Sequence, residues 1–221
     1  MQQYFAREPE SASRPAECHF SYRGASLTFE TDSGVFSRGE MDEGTRLLLE
    51  ALPPLSGDVL DLGCGWGAVG VSIAKAYPEA KVCMGDVNLR ALSLAWENAA
   101  RNGVSVRCEE SDGLAAFAGQ RFDTVATNPP IRAGKQVVYR LLAEAVRALK
   151  PGGELYVVIR KQQGAESCQK HLRTLCGDVE RVARDKGFWV LRAREPLAEA
   201  AQELTGRTEE AESLPSTDRH V

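Results

Sequence analysis

From Gly57 onward the chain repeats one pattern, a short apolar run followed by a stretch with helical spacing, and that alternation leaves few folds open. Val59-Leu60-Asp61-Leu62 reads as a buried strand, Ala68 to Ala76 as a helix and Lys81 to Asp86 as a second strand. Asn88 caps a helix that stops at Asn102-Gly103. Val104 to Cys108 and Phe122 to Thr127 follow as strands, Lys135 to Leu149 as an amphipathic helix, Leu155 to Ile159 as a strand and Ala165 to Leu175 as a helix. Strands that alternate with helices pair in parallel, with the helices on both faces. Val179 to Ala183 and Phe188 to Leu191, parted by Asp185-Lys186-Gly187, predict a closing antiparallel hairpin. The expected fold class is α/β, a doubly wound seven-stranded mostly parallel sheet with a C-terminal antiparallel hairpin. Upstream, Cys18 to Tyr22 and Ser26 to Thr31 alternate around Arg23-Gly24 and predict an N-terminal β-hairpin extension. Asp42 can cap a further helix that carries Leu47, Leu48, Leu49 and Leu52 and ends at Pro53-Pro54.

A length of 221 residues suits one domain with a single core. Residues 1–15, with Pro9 and Pro15, read as a loose leader, residues 16–194 as the domain (hairpin 18–31, core 42–194) and residues 195–221 as an acidic, poorly packed tail. The net charge of -4 argues against a nucleic-acid partner until it is divided along the chain. Seven acids against two bases from Glu195 onward leave the first 194 residues at about +1, and Arg132 to Arg173 holds nine bases against three acids. Such a local positive patch is what a phosphate backbone attracts, and Arg132, Lys135, Arg160 and Lys161 are the candidate contacts. A solvated helix face would give the same charge count. The 6 cysteines form no CxxC pair and lie apart from the 3 histidines, which predicts reduced thiols in a cytoplasmic setting and no metal site. No apolar run is long enough to span a membrane, and residues 1–7 have no apolar signal core.

Asn128-Pro129-Pro130-Ile131 closes the Phe122–Thr127 strand. Two prolines cannot donate to a sheet ladder, and the residue before a proline is held extended. The Asn128 amide therefore stands at the carboxyl lip of the sheet, where open α/β sheets bind ligands. Its oxygen and a neighbouring backbone carbonyl make a pair of acceptors suited to a planar NH2 group. By itself the tetrapeptide also suits a plain turn.

A second motif lies upstream. Asp61-Leu62-Gly63-Cys64-Gly65-Trp66-Gly67 sets three glycines at alternate positions after a strand, which allows a tight turn and a close ligand. Asp86 ends the next strand, 23 positions after Gly63, where a carboxylate can accept both hydroxyls of a ribose. Gly63 to Ala68 also fits the looser dinucleotide fingerprint, so an NAD-dependent oxidoreductase or a nucleotide-binding module is an alternative. Asp61 speaks against NAD, because its charge would face a pyrophosphate; an ammonium suits it better. Asp112, followed by Gly113 after the third strand, is placed to accept from an adenine amino group. Ammonium, ribose and adenine together describe S-adenosyl-L-methionine. Trp66 reads as packing beside the loop, with a base stacker as the alternative, Phe188 and Trp189 as core or edge-strand residues, Cys64 as a small side chain, and His171 as a surface residue.

Asp61 to Gly67, Asp86, Asp112 and Asn128 to Ile131, in this order on these strand ends, resemble the Rossmann-like class I S-adenosylmethionine-dependent methyltransferases. More narrowly, about residues 18–194 resemble the small-subunit (16S) ribosomal RNA guanine-N2 methyltransferases and their single-domain relatives. Thr31-Asp32-Ser33-Gly34-Val35-Phe36-Ser37, the block Asn128 to Lys135, and Gln162-Gln163-Gly164-Ala165 carry that likeness. The resemblance implies a cofactor held by Phe36, Asp42, Asp61, Gly63, Gly65, Gly67, Asp86, Val87, Asp112, Gly113 and Asn128, with the Phe36-Ser37 loop and the Asp42 helix closing over its methionine end. It implies that Asn128, Pro129, Pro130 and Ile131 are the catalytic residues, without a metal, and that the acceptor is guanine N2 in ribosomal RNA or the small subunit. The larger relatives have a second, degenerate methyltransferase-like domain in front, which is not read in this chain. Ile131 stands where many amino-methylating relatives have an aromatic ring, so stacking on the target base must come from elsewhere. Asn-Pro-Pro motifs also recur in enzymes that methylate protein glutamine or DNA adenine, which leaves those acceptors as alternatives, and monomer and homodimer are both compatible with the sequence.

Overall fold

The computed structural model describes residues 7–198. Strands β1 (Ala16–Tyr22) and β2 (Ala25–Thr31) form an antiparallel hairpin around Arg23 and Gly24, both at positive φ. Helix α1 (Glu43–Ala51) starts at Asp42, whose carboxylate accepts the Thr45 N–H at 3.0 Å. The alternating part follows as β3 (Gly57–Leu62), α2 (Ala68–Ala76), β4 (Ala80–Asp86), α3 (Leu89–Arg101), β5 (Arg107–Glu110), β6 (Phe122–Thr127), α4 (Lys135–Arg147), β7 (Leu149–Arg160), α5 (Ala165–Leu175), β8 (Cys176–Asp185) and β9 (Phe188–Pro196). The sheet has 7 strands in the order β5-β4-β3-β6-β7-β9-β8; β3 to β7 are parallel, and β9 runs antiparallel to both its neighbours. This is the expected fold class. One face of the sheet is covered by α1, α2, α3 and the β1–β2 hairpin, the other by α4 and α5. The order reverses at β3: β4 and β5 extend to one side and β6 returns on the other. Ligands of open α/β sheets sit outside the carboxyl ends at such a reversal. Among the described residues no helix is long and apolar enough to cross a membrane.

The hairpin is fastened by two asparagines one turn apart, Asn98 in α3 and Asn102 just past its last residue. Asn98 accepts the Glu30 N–H at 2.7 Å and donates to the Glu30 and Trp66 carbonyls; Asn102 exchanges a similar pair with Thr28. The two amides thus complete the free edge of β2 much as another strand would. Residues 7–15, expected as a loose leader, are laid across this region: the Arg7 carbonyl accepts the Leu89 N–H at 3.0 Å, and Arg90 donates to the Pro9 carbonyl at 3.3 Å and the Ser33 carbonyl at 2.7 Å. Most of the tail expected from Glu195 lies outside the described residues.

Four local expectations shift. The third strand of the alternating part starts at Arg107 rather than Val104, because the Val104 N–H is spent on the Ala99 carbonyl at 3.0 Å, capping α3. Pro151-Gly152-Gly153 lies inside β7 rather than before it; the register with β6 slips there, where Gly153 passes close to the Phe122 carbonyl. The closing hairpin is longer than its apolar pattern, since Arg192 and Arg194 extend it through ion pairs with Glu154, Asp178 and Glu180. His171 is half-buried rather than a plain surface residue, its ring stacked on Tyr139 with centroids 3.9 Å apart.

Candidate active site

A cavity of about 870 Å³ opens over the carboxyl ends of the strands, within the size range of small-molecule sites. Its floor is the turn after β3. Gly63, Gly65 and Gly67 all have positive φ, but they do different things. A Cβ on Gly63 or Gly65 would meet nothing within 4 Å, so both leave open space for a ligand. A Cβ on Gly67 would come 3.2 Å from the Ala95 Cα, and Gly67 does not line the cavity. In the structure Gly67 serves the close approach of α2 to α3. Behind the turn, Asp61 is only 2% exposed and accepts the Gly70 N–H at 2.8 Å. Burial pushes its carboxyl up to about 7, the nearby Asp86 charge adds to this, and the Gly70 bond opposes it. Asp86 is half-buried and accepts the Gly65 N–H at 2.8 Å and the Asn88 N–H at 2.9 Å; burial raises its carboxyl as well. Val87 and Gly113 line the same side. Asp112 is exposed, and its carboxylate meets Arg140 Nη2 at 2.6 Å, while Arg140 Nη1 reaches Glu144 at 2.8 Å. An amino group arriving at Asp112 shares it with that guanidinium.

The acceptor pair stands beside this row. Asn128 Nδ2 donates to Asp42 Oδ2 at 3.2 Å and to Thr45 Oγ1 at 3.0 Å. The Asp42 carboxylate can only accept, which fixes which end of the amide faces α1. Both N–H directions are spent on α1, so the amide oxygen is the end left for a ligand. The Pro129 carbonyl accepts the Ile131 N–H at 2.8 Å and keeps a second lone pair. Pro130 and Ile131 also line the cavity, and Ile131 opens a single 3₁₀ turn to Ala133. Phe36 lines it from the loop above; its carbonyl accepts the Trp66 Nε1–H at 2.8 Å. Trp66 itself is buried edge-on against Phe29, and Cys64 is buried in the turn, both as packing residues.

Of the four basic candidates, Arg132 and Arg160 line the cavity; Lys135 and Lys161 are exposed outside it. Lys135 lies over the Tyr139 ring at 5.1 Å, and Arg160 over the Phe188 ring at 4.8 Å. Thr45, Arg140 and Phe188 belong to the site but were not singled out for it. Thr45 stands three positions after a cap residue and reads only as part of a helix. Arg140 is hidden in an amphipathic repeat, and Phe188 in a strand; neither carries a local signal that points into the cavity.

Asp61, Asp86 and Asp112 in a row, with an open glycine turn beneath, fit the ammonium, diol and amino-substituted ring of S-adenosylmethionine. The family model described as "Methyltransferase small domain" matches residues 26–192. The Uncharacterized protein YbxB of Bacillus subtilis is 40% identical over 195 residues, covering 86% of this chain and 97% of that one. Ribosomal RNA small subunit methyltransferase C of Hahella chejuensis is 43% identical over 140 residues, 61% of this chain; the match spans 41% of that relative. Among solved structures, the T. Thermophilus 16S rRNA N2 G1207 methyltransferase (RsmC), in complex with AdoMet and guanosine, superposes with a TM-score of 0.74 at 28% identity, covering 84% of this chain and 51% of the other.

Proposed function

The chain belongs to the methyltransferase small domain family, and from that premise we propose that it methylates an exocyclic amine of ribosomal RNA, guanine N2 of 16S RNA being the first choice. It is an S-adenosylmethionine-dependent methyltransferase, which sets aside the NAD-dependent alternative. When bound, S-adenosylmethionine supplies a methyl group activated on a sulfonium. In this reading Asp61 holds its ammonium, Asp86 its ribose and Asp112 its adenine amino group. Phe36 and the Asp42 helix close over the methionine end, and the whole unit from residue 16 to 194 serves as the catalytic domain.

The single observation that carries the acceptor chemistry is the Asn128 amide, pinned by Asp42 and Thr45 with its oxygen unspent. That oxygen and the second lone pair of the Pro129 carbonyl accept the two N–H bonds of a planar amine. Doing so turns the nitrogen lone pair out of the plane toward the methyl donor and stabilises positive charge growing on nitrogen. Guanine N2 is favoured over other amines by the solved relative whose name gives a 16S rRNA N2 position. A ribosomal RNA partner is favoured by the name of the Hahella chejuensis relative and by the exposed bases Arg132, Lys135, Arg160 and Lys161, which suit a phosphate backbone. The six free cysteines suit a reducing, cytoplasmic setting such as that of ribosomal RNA.

The test is transfer of tritiated methyl to small ribosomal subunits, naked ribosomal RNA, DNA and release factors, followed by mass mapping of modified nucleosides in RNA from cells with and without the protein. Label on guanine N2 of 16S RNA that disappears in the deletion strain is the expected result. Label confined to DNA adenine or protein glutamine would replace the acceptor and keep the clamp.

A further inference from the structure

Ile131 is aliphatic, so a flat acceptor held at the Asn128 clamp needs another surface to fix its plane. The strand order says where that surface must be. Asp112, Asp86 and Asp61 stand on or just beyond β5, β4 and β3, and Asn128 ends β6; the rest of the cavity lies over the tips of β7 and β9. Among the described residues lining the cavity, three carry aromatic rings: Phe36, Trp66 and Phe188. Trp66 is buried, and the Phe36 carbonyl accepts its ring N–H, which places Phe36 above the glycine turn, the side read for the cofactor. Phe188 is the first residue of β9, paired with Arg160, the last of β7, and the Arg160 guanidinium lies over its ring. The ring is held firmly. A Cβ on Gly44 would come 2.8 Å from it, which accounts for a glycine inside α1 despite its poor helix propensity. Gly44 sits between Asp42 and Thr45, so one turn of α1 positions both the Asn128 amide and the Phe188 ring. The Lys161 N–H, donated to the Gly187 carbonyl at 2.7 Å, ties the tips of β7 and the closing hairpin together.

We propose that the Arg160 guanidinium, backed by the Phe188 ring, is the surface against which the target base stacks. Guanidinium planes stack on unpaired bases, and an aromatic ring behind one holds it in place. The proposal rests on the reading of the acceptor as a nucleobase amine, and it gives Arg160 a role that charge alone cannot fill. A phosphate contact asks only for a cation; a base asks for a plane.

Steady-state transfer of tritiated methyl to small subunits from deletion cells, with calorimetry of S-adenosylhomocysteine on the same preparations, tests it in the parent, Arg160→Lys, Arg160→Ala and Phe188→Leu. Leucine keeps the apolar packing on Gly44. The expected result is a rise of about tenfold in the KM for subunits in all three variants, with kcat and S-adenosylhomocysteine affinity within about twofold of the parent. A parental KM in Arg160→Lys would overturn the stack in favour of a plain phosphate contact. A joint loss of S-adenosylhomocysteine affinity would overturn it in favour of a structural role. If the parent itself labels no RNA, or labels only protein glutamine, the acceptor reading has failed first and takes the stack with it.

Discussion

The two wings of the sheet, divided where the strand order reverses at β3, are built on opposite principles. On the β3-β4-β5 wing the ligand-facing groups are short carboxylates, Asp61 and Asp86, fixed by backbone N–H groups of Gly70, Gly65 and Asn88. They have almost no rotamer freedom to lose on binding, so the site is a mould made before its ligand arrives. On the β7-β9-β8 wing the one charged group that reaches the cavity, Arg160, is long and exposed, and further exposed bases lie around the mouth at Arg132, Lys135 and Lys161. Ordering those side chains is a cost met at binding, and salt screens their attraction. In the proposed reading, selectivity for the cofactor would be stored in burial and backbone, and affinity for an RNA acceptor would be spread over the surface. Asn128 stands on the seam and takes its rigidity from α1.

The largest effect is expected at that seam. Asn128→Ala removes the acceptor oxygen and should lower kcat by about 10² or more, with S-adenosylhomocysteine affinity near the parent. Single-turnover methyl transfer measures it directly; a rate within about threefold of the parent would dissolve the division of labour, since the clamp would then do nothing. Next comes the moulded wing. Asp61→Asn keeps the shape and still offers an oxygen to Gly70, but it removes the charge. S-adenosylhomocysteine should bind about 10- to 100-fold more weakly by calorimetry, the range for hydrogen bonds to charged groups. The melting temperature of the ligand-free variant should hold or rise, because a carboxylate buried without a cation is unfavourable. Unchanged affinity would mean that the mould recognises shape alone.

The same contrast explains what could be read from the sequence. The glycine turn, Asp61, Asp86 and the Asn-Pro-Pro step were legible because each is a local constraint: positive φ, a strand end, a missing N–H. Strand and helix order was legible from periodicity alone. Gly67 reads like its two neighbours because all three glycines answer the turn's backbone demand, and only the tertiary position of Ala95 reveals its packing role beside the open floor. Thr45, Gly44 and Phe188 act through contacts between elements far apart in the chain, which no local pattern records. Asn98 and Asn102 carry the hairpin through side-chain amides that read, in sequence, as a polar helix face and a stop signal.

The pH dependence sharpens the contrast on the moulded wing. Burial raises the Asp61 carboxyl to about 7, so the ligand-free fold holds that proton more tightly than the unfolded chain does. Stability contributed by the protonated form is therefore present below the ordinary carboxylate range and is lost as pH rises from about 4 to about 7. A cation beside the carboxylate reverses the preference, so binding below pH 7 must release the proton. S-adenosylhomocysteine affinity should fall about tenfold per pH unit below about 7, and Asp61→Asn should abolish that slope. Calorimetry in buffers of different ionisation enthalpy counts the proton; a flat affinity from pH 5 to 8 would place the ammonium elsewhere.

The smallest effects belong to the exposed wing, and their form matters more than their size. Arg132→Gln, Lys135→Gln and Lys161→Gln should each weaken binding of small subunits only a few-fold at moderate salt, because such charges are solvated and screened. Each phosphate contact removed should instead reduce the slope of log affinity against log salt by about 0.7, the value for a single-stranded partner. Reductions that add across the triple variant, with S-adenosylhomocysteine binding untouched, would identify three independent phosphate contacts on one wing. A slope unchanged in the triple variant would remove these residues from the RNA surface and leave Arg160, at the cavity mouth, as the point from which the acceptor side would have to be redrawn.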